Sequence, residues 1–246
     1  MSSPFPTFEL QLRSVAFFGR SFDEYVRFFA LDEAALSGSR VLDVAAGPSS
    51  FTAEAHARGI NAVAADPLYG LRADALAAHV QIDYDRMLSE MRRKADRFRY
   101  GYFPSLAAAE ASRRAAASRF LADYEAGFLR DRYVGASLPR LPFAKGAFDL
   151  VLCAHLLFTY SGHFDYAFHL ASCSELARVC KEEVRIHPIC GLDGKTYPEL
   201  PRLRDDLAQA GIAARVLEIN YEFFPGSNSA LILKNLTPNA RLLDIA

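Results

Sequence analysis

Hydrophobic positions along the chain change their period several times, and each change marks an element. An aromatic-rich segment, 14–30 (SVAFFGRSFDEYVRFFA), leads into a helix, with Ser21 as N-cap and Glu24 three residues on in a capping-box pattern. Residues 40–45 read as a buried strand, followed by a Gly-containing turn and a helix over about 50–58 that Gly59 stops. A second short strand, 60–65, ends at Asp66-Pro67. Strand, turn, helix, strand is a βαβ unit, which implies parallel strands and a right-handed crossover.

The period then lengthens. Leu76, Val80, Tyr84, Met87, Met91 and Phe98 recur at helical spacing and predict one long amphipathic helix over 72–99. Pro104 breaks it, and an Ala-rich helix over 105–130 carries Phe120, Tyr124 and Phe128 on one side. The pair exceeds what one crossover requires, so residues 71–131 read as a helical insert or lid. Strands at 133–138 and 148–153 follow, the second an uninterrupted apolar run of the fully buried kind. After them come a helix over 164–180, a strand at 183–189, a helix over 200–210 and two last strands, 215–223 and 229–234. A short turn, Pro225-Gly226-Ser227-Asn228, joins those two and makes them antiparallel. The expected fold is α/β: a Rossmann-like, mostly parallel seven-stranded sheet with a C-terminal antiparallel hairpin. A single domain spans 1–246, with residues 1–39 as lead-in.

Composition narrows the partners. The 246 residues are 51% hydrophobic and 23% charged, with a formal charge of −1. That is ordinary globular composition, without the excess of cations that nucleic acid or an anionic membrane would select. No window approaches the roughly 20 apolar residues of a membrane span, and the N-terminus lacks a secretory pattern, so a cytoplasmic location is expected. Cys153, Cys173, Cys180 and Cys190 contain no C-x-x-C pair and read as reduced, buried thiols.

The chemistry concentrates after the first strand, in Val41-Leu42-Asp43-Val44-Ala45-Ala46-Gly47-Pro48-Ser49-Ser50. An acid near a strand end, then a turn of small residues, forms a ligand crevice at the carboxyl edge of a sheet. Asp66, ending the second strand, can accept both hydroxyls of a ribose. A dinucleotide fingerprint needs G-x-G-x-x-G, of which only Gly47 is present, and no P-loop exists. S-adenosylmethionine has no phosphate and does not need that glycine set; it needs an acid near its ammonium group, an acid on its ribose and an apolar slot for adenine.

Here the sequence resembles the class I S-adenosylmethionine-dependent methyltransferases, of the small-molecule, methyltransferase type 11-like kind. Asp43-Val44-Ala45-Ala46-Gly47-Pro48-Ser49 stands where that family usually has D-x-G-x-G-x-G and keeps only the central glycine. Val63-Ala64-Ala65-Asp66-Pro67 matches the second motif. Leu141-Pro142-Phe143 through Phe148-Asp149-Leu150-Val151 resembles L-P-F-x-x-x-x-F-D-x-V, and Glu175-Leu176-Ala177-Arg178-Val179 resembles the helix before the fifth strand. The match runs over 14–70 and 132–234 and leaves the insert uncovered.

The resemblance implies methyl transfer to an O, N or C atom of a small-molecule acceptor, with S-adenosylmethionine as cofactor. It implies that Ala45 and Gly47 approach the methionine part, that Asp43 faces the ammonium group and that Asp66 with Pro67 holds the ribose. Ser137 and Leu138 line adenine, and Ala154 and His155 face the sulfonium. Arg20 is the candidate clamp for the cofactor carboxylate. His155 and Tyr160 are the candidates for a general base. His155, His163 and His169 lack metal-ligand spacing, so no metal is expected.

Two alternatives stay open: a non-catalytic S-adenosylmethionine-binding module and a nicotinamide-dependent oxidoreductase. Residues 86–119 hold nine basic residues (Arg86, Arg92, Arg93, Lys94, Arg97, Arg99, Arg113, Arg114, Arg119) against Glu90, Asp96 and Glu110. That run reads as a solvated face or as the recognition surface for an anionic acceptor; nucleic acid is disfavoured.

Overall fold

The computed structural model describes residues 15–236. Seven strands form one sheet: β1 (Arg40–Val44), β2 (Asn61–Asp66), β3 (Tyr133–Gly135), β4 (Phe148–Ala154), β5 (Cys180–His187), β6 (Ile212–Glu218) and β7 (Ser229–Asn235). Their order is β3-β2-β1-β4-β5-β7-β6, with β7 antiparallel to both neighbours. This is the mostly parallel sheet with an antiparallel C-terminal pair that the motifs imply. β1 is central, and successive side chains of Val41-Leu42-Asp43-Val44 enter opposite faces, which is why the strand reads as continuously apolar. On one face lie α1 (Phe22–Phe28), α2 (Phe51–Ala57), α3 (Ala73–Arg93) and α4 (Leu106–Phe128); on the other lie α5 (Tyr166–Val179) and α6 (Leu200–Gln209).

Several boundaries differ from the sequence expectation. α3 stops at Arg93, not near 99; Phe98 keeps the helical period by coincidence and is extended, stacked on Phe223 at 4.8 Å. β3 ends at Gly135, where a Cβ would lie 2.3 Å from the Tyr69 carbonyl oxygen; Ser137 and Leu138 leave in a turn closed by Arg140. β5 begins at Cys180, three residues early, the offset taken up by an irregular pairing between Phe148 and Leu150. β6 spans 212–218 instead of 215–223. Its pairing with β7 closes at Glu218–Ser229, so the connection is a loop, 219–228, whose Tyr221, Phe223 and Phe224 are buried. Ser227 accepts from the N–H groups of Phe223 and Phe224 and folds that loop inward.

No helix among the described residues is long and apolar enough to cross a membrane. The four cysteines are free and buried.

Candidate functional site

The sheet reverses direction of growth at β1: β2 and β3 lie to one side, β4 and β5 to the other. Ligand crevices of open α/β sheets form at such a switch point, outside the carboxyl ends of the strands. A cavity of about 580 Å³ occupies that place, within the range of small-molecule sites. Its floor is the turn after β1, the end of β2 and the segments after β3 and β4; its roof comes from residues 15–20, α3, α4 and the 219–228 loop.

The floor is held by one carboxylate. Asp66 Oδ2 accepts from the N–H of Gly47 at 3.0 Å, and Oδ1 from the N–H of Leu68 at 3.0 Å, so a single side chain fixes the turns after β1 and β2. Burial pushes its pKa up to about 6, against the pull of those two N–H groups. Ala45 and Gly47 are both left-handed, φ 56° and 55°. Ala45 adopts this conformation without being glycine, at a cost of about 1–2 kcal/mol.

The lead-in forms a strap across the cavity. The Ala16 N–H donates to the Tyr160 hydroxyl (3.1 Å), the Phe17 N–H to Asp83 Oδ2 (2.7 Å) and the Gly19 N–H to the Tyr84 hydroxyl (3.2 Å). Tyr84 in turn donates to the Arg113 carbonyl, which ties strap, α3 and α4 together. The Arg20 carbonyl accepts from Ser49 Oγ and the Ser50 N–H. Gly19 allows this closeness: a Cβ there would sit 2.1 Å from the Pro48 carbonyl oxygen.

Of the residues singled out from sequence, Arg20, Ala45, Gly47, Asp66, Pro67, Ser137, Leu138, Ala154, His155 and Tyr160 all line the cavity. Asp43 does not. It is fully buried behind Tyr25, whose hydroxyl donates to Asp43 Oδ1 at 3.2 Å, and burial raises its pKa well above the carboxylate range. An acid buried behind a phenol does not reach an ammonium group in the cavity, so Asp43 acts on the site through Tyr25, which does line it.

Burial, with the guanidinium of Arg20 and the neighbouring His187, holds the His155 imidazole well below its ordinary value and therefore neutral at pH 7. Tyr160 is buried, with its phenol pKa raised, and its hydroxyl is engaged by the strap.

Sequence reasoning missed Arg113, the strap and the 219–228 loop. Arg113 was visible as a cation on an otherwise apolar stripe of α4, with Ala109, Ala116, Phe120 and Tyr124. The basic run as a whole is not an open positive face. Arg92 pairs with Glu110, Arg93 with Glu90, Arg86 with Asp83, Arg97 with Asp96, Arg99 with Glu222, Arg114 with Asp85 and Arg119 with Glu54. Asp83, Asp85, Glu54 and Glu222 come from outside residues 86–119. Of the nine cations, Arg113 is the one that lines the cavity.

Fold and crevice thus define a Rossmann-like α/β protein with a small-molecule cavity at the switch point of its sheet. The chain belongs to the family of the uncharacterized protein MJ0045 of Methanocaldococcus jannaschii, to which it is 32% identical over 226 residues, 92% of this chain and 98% of that protein. No protein-family model matches the chain. Among solved structures it is similar to magnesium protoporphyrin IX methyltransferase from Synechocystis PCC 6803 with bound SAM (16% identity, 86% of this chain and 76% of that one, TM-score 0.43). It is also similar to the 1,6-didemethyltoxoflavin-N1-methyltransferase of Burkholderia thailandensis (12% identity, 83% and 76%, TM-score 0.44).

Proposed function

We propose that the chain is an S-adenosylmethionine-dependent methyltransferase acting on a small molecule. One observation carries this reading. Arg20 Nε, Arg113 Nε, His155 Nδ1 and Thr159 Oγ1 are buried without protein partners, and all four residues line the same cavity. Buried polar groups are ordinarily partnered, so their convergence points to a polar ligand.

The residues fit the cofactor. Asp66 keeps two of a carboxylate's roughly four acceptor positions free of Gly47 and Leu68, enough for the two ribose hydroxyls. The left-handed turn at Ala45–Gly47 brings bare backbone to the methionine part, and Arg20 Nε is available to its carboxylate. Ser137 and Leu138 flank the adenine slot beyond β3, and Ala154 and His155 face the sulfonium beyond β4.

The bound cofactor supplies an activated methyl group on a sulfonium, so the chain has to align the acceptor, exclude water and accept little charge. A neutral His155 suits a cationic neighbour and can accept a hydrogen bond from the acceptor, but it is a weak base. Tyr160 holds the strap shut over the cavity. Both therefore act chiefly by positioning, and the acceptor's nucleophile enters deprotonated or loses its proton to water. The acceptor belongs to the side of the cavity formed by α3, α4 and the 219–228 loop.

Calorimetry with S-adenosylhomocysteine tests this. Binding in the micromolar range, weakened at least tenfold by Asp66→Ala through loss of charge-assisted hydrogen bonds of about 1.5–3 kcal/mol each, is the expected result. Unchanged affinity in a folded Asp66→Ala variant would remove the ribose assignment.

A further inference from the structure

We infer that Arg113 marks a subsite for the carboxylate of a flat, largely apolar acceptor, a proposal that rests on the methyl-transfer reading only for the role of that ligand as acceptor. Arg113 projects from the apolar stripe of α4 and is 1% exposed. Its Nη2 lies 3.1 Å from Glu24 Oε1, an oxygen that also accepts from the Tyr221 hydroxyl at 2.9 Å. Its Nη1 reaches the Ala109 carbonyl only at 3.5 Å, and its Nε has no protein partner. The guanidinium is therefore paired at one corner and keeps a buried Nε–H with no protein acceptor, a donor that a carboxylate can engage.

Charge bookkeeping within the cavity points the same way. Arg20 and Arg113 line it; Glu24 and the ionised Asp66 oppose them; Asp83 is matched by Arg86. Asp43 stands behind Tyr25 and does not line the cavity. The protein side is thus balanced. S-adenosylmethionine brings an ammonium, a sulfonium and one carboxylate, which leaves one uncompensated positive charge in a low-dielectric enclosure. Buried charges are retained when paired, and an anionic acceptor restores the balance that a neutral one does not.

The surroundings set the rest of the ligand. Phe223 lies 4.6 Å from the Arg113 guanidinium and Phe18 5.9 Å, while Phe98 stacks on Phe223. Met87 and Met91 complete this part of the wall with flexible thioethers that adapt to a flat face. Arg92, Arg93 and Lys94 play no part, since none of them lines the cavity.

The chain has no tryptophan, so an indole probe reports its own fluorescence. Indole-3-acetate and its neutral isostere indole-3-acetamide are titrated into the full chain with and without S-adenosylhomocysteine, whose own binding is followed separately by calorimetry. The acid should bind at least tenfold more tightly than the amide. Arg113→Gln should erase that preference, Arg113→Lys should keep part of it, and Glu24→Gln, which frees Arg113 from its counter-charge, should strengthen it. A purely structural Arg113–Glu24 pair predicts no gain from Glu24→Gln. If Arg113→Gln does not fold, the charge-free double variant Glu24→Gln/Arg113→Met replaces it. Equal affinity for acid and amide, a preference undiminished in Arg113→Gln or in the charge-free double variant, or no binding of either probe at millimolar concentration overturns the subsite. An intact, Arg113-dependent preference in a protein that fails to bind S-adenosylhomocysteine supports the subsite and overturns the methyl-transfer reading instead.

Discussion

Replacing Gly19 by alanine is the sharpest perturbation of the site that touches none of its polar groups. The added methyl would lie 2.1 Å from the Pro48 carbonyl oxygen and 2.5 Å from the Ser49 nitrogen, both far inside ordinary contact and both against backbone. No rotamer relieves it, so the strap must lift from the Gly47–Ser49 turn. Lifting strains three hydrogen bonds, from Ala16 to Tyr160, Phe17 to Asp83 and Gly19 to Tyr84. Two neutral bonds at about 1 kcal/mol and one to a carboxylate at about 2 kcal/mol set an upper bound near 4 kcal/mol for complete release. Partial release should cost about 2–4 kcal/mol, which lowers the melting temperature by roughly 5–15 °C for a domain of this size. Gly38→Ala is the control: its φ is +79° but nothing lies within 4 Å, so only about 1–2 kcal/mol of backbone strain is expected. Thermal unfolding by circular dichroism ranks the two, and calorimetry should show that Gly19→Ala also weakens S-adenosylhomocysteine. A Gly19→Ala variant as stable as Gly38→Ala or more so would show that the strap does not rest on the turn.

Asp66 gives a pH signature. Burial raises its carboxyl to about 6 in the folded chain, above the roughly 3.9 of a free aspartate, so the protonated form favours folding. That contribution is full below about pH 4 and is lost as pH rises through about 6, with a size of about 3 kcal/mol. Chemical denaturation across this window should show wild type losing stability relative to Asp66→Asn; parallel profiles would refute it. Affinity for S-adenosylhomocysteine should rise over the same window as the carboxylate forms, and a flat profile would detach Asp66 from the ribose. Tyr160→Phe removes the acceptor for the Ala16 N–H and should accelerate exchange at that amide by about five- to tenfold, corresponding to about 1 kcal/mol, without altering the far-ultraviolet spectrum. Reversing Arg92, Arg93 and Lys94 to Glu should leave ligand binding unchanged, because Arg92 and Arg93 already pair with Glu110 and Glu90 on the outer surface. A loss of indole-3-acetate binding in that variant would return recognition to the outer face.

The sheet was legible because parallel strands buried on both faces must be written as short apolar runs between turn residues, as at Val41–Val44 and Val151–Ala154. The crevice was legible because small residues after β1 and an acid after β2 are local features. What escaped was every non-local decision. Phe98 fits a helical period and is instead an anchor for Phe223. Residues 219–223 look like strand and turn inward, since Tyr221 reaches Glu24 and Phe224 lines the cavity. The basic run looked uncompensated because its carboxylates come from elsewhere in the chain, and Asp43 looked ligand-facing because alternation along β1 does not reveal that Tyr25 stands in front of it.

The hydrogen bond between Tyr221 and Glu24 joins groups 197 residues apart. The roof of the cavity is shared between the strap and the 219–228 loop, two segments far apart in the sequence. The floor can form once β4 is made, yet it stays open until the final antiparallel pair closes. A nascent chain lacks that roof until the 219–228 loop has been made, and a fragment cut short before residue 219 would leave Phe28 without its Tyr221 neighbour. Binding competence therefore waits on the making of the 219–228 loop, long after the residues of the floor are in place.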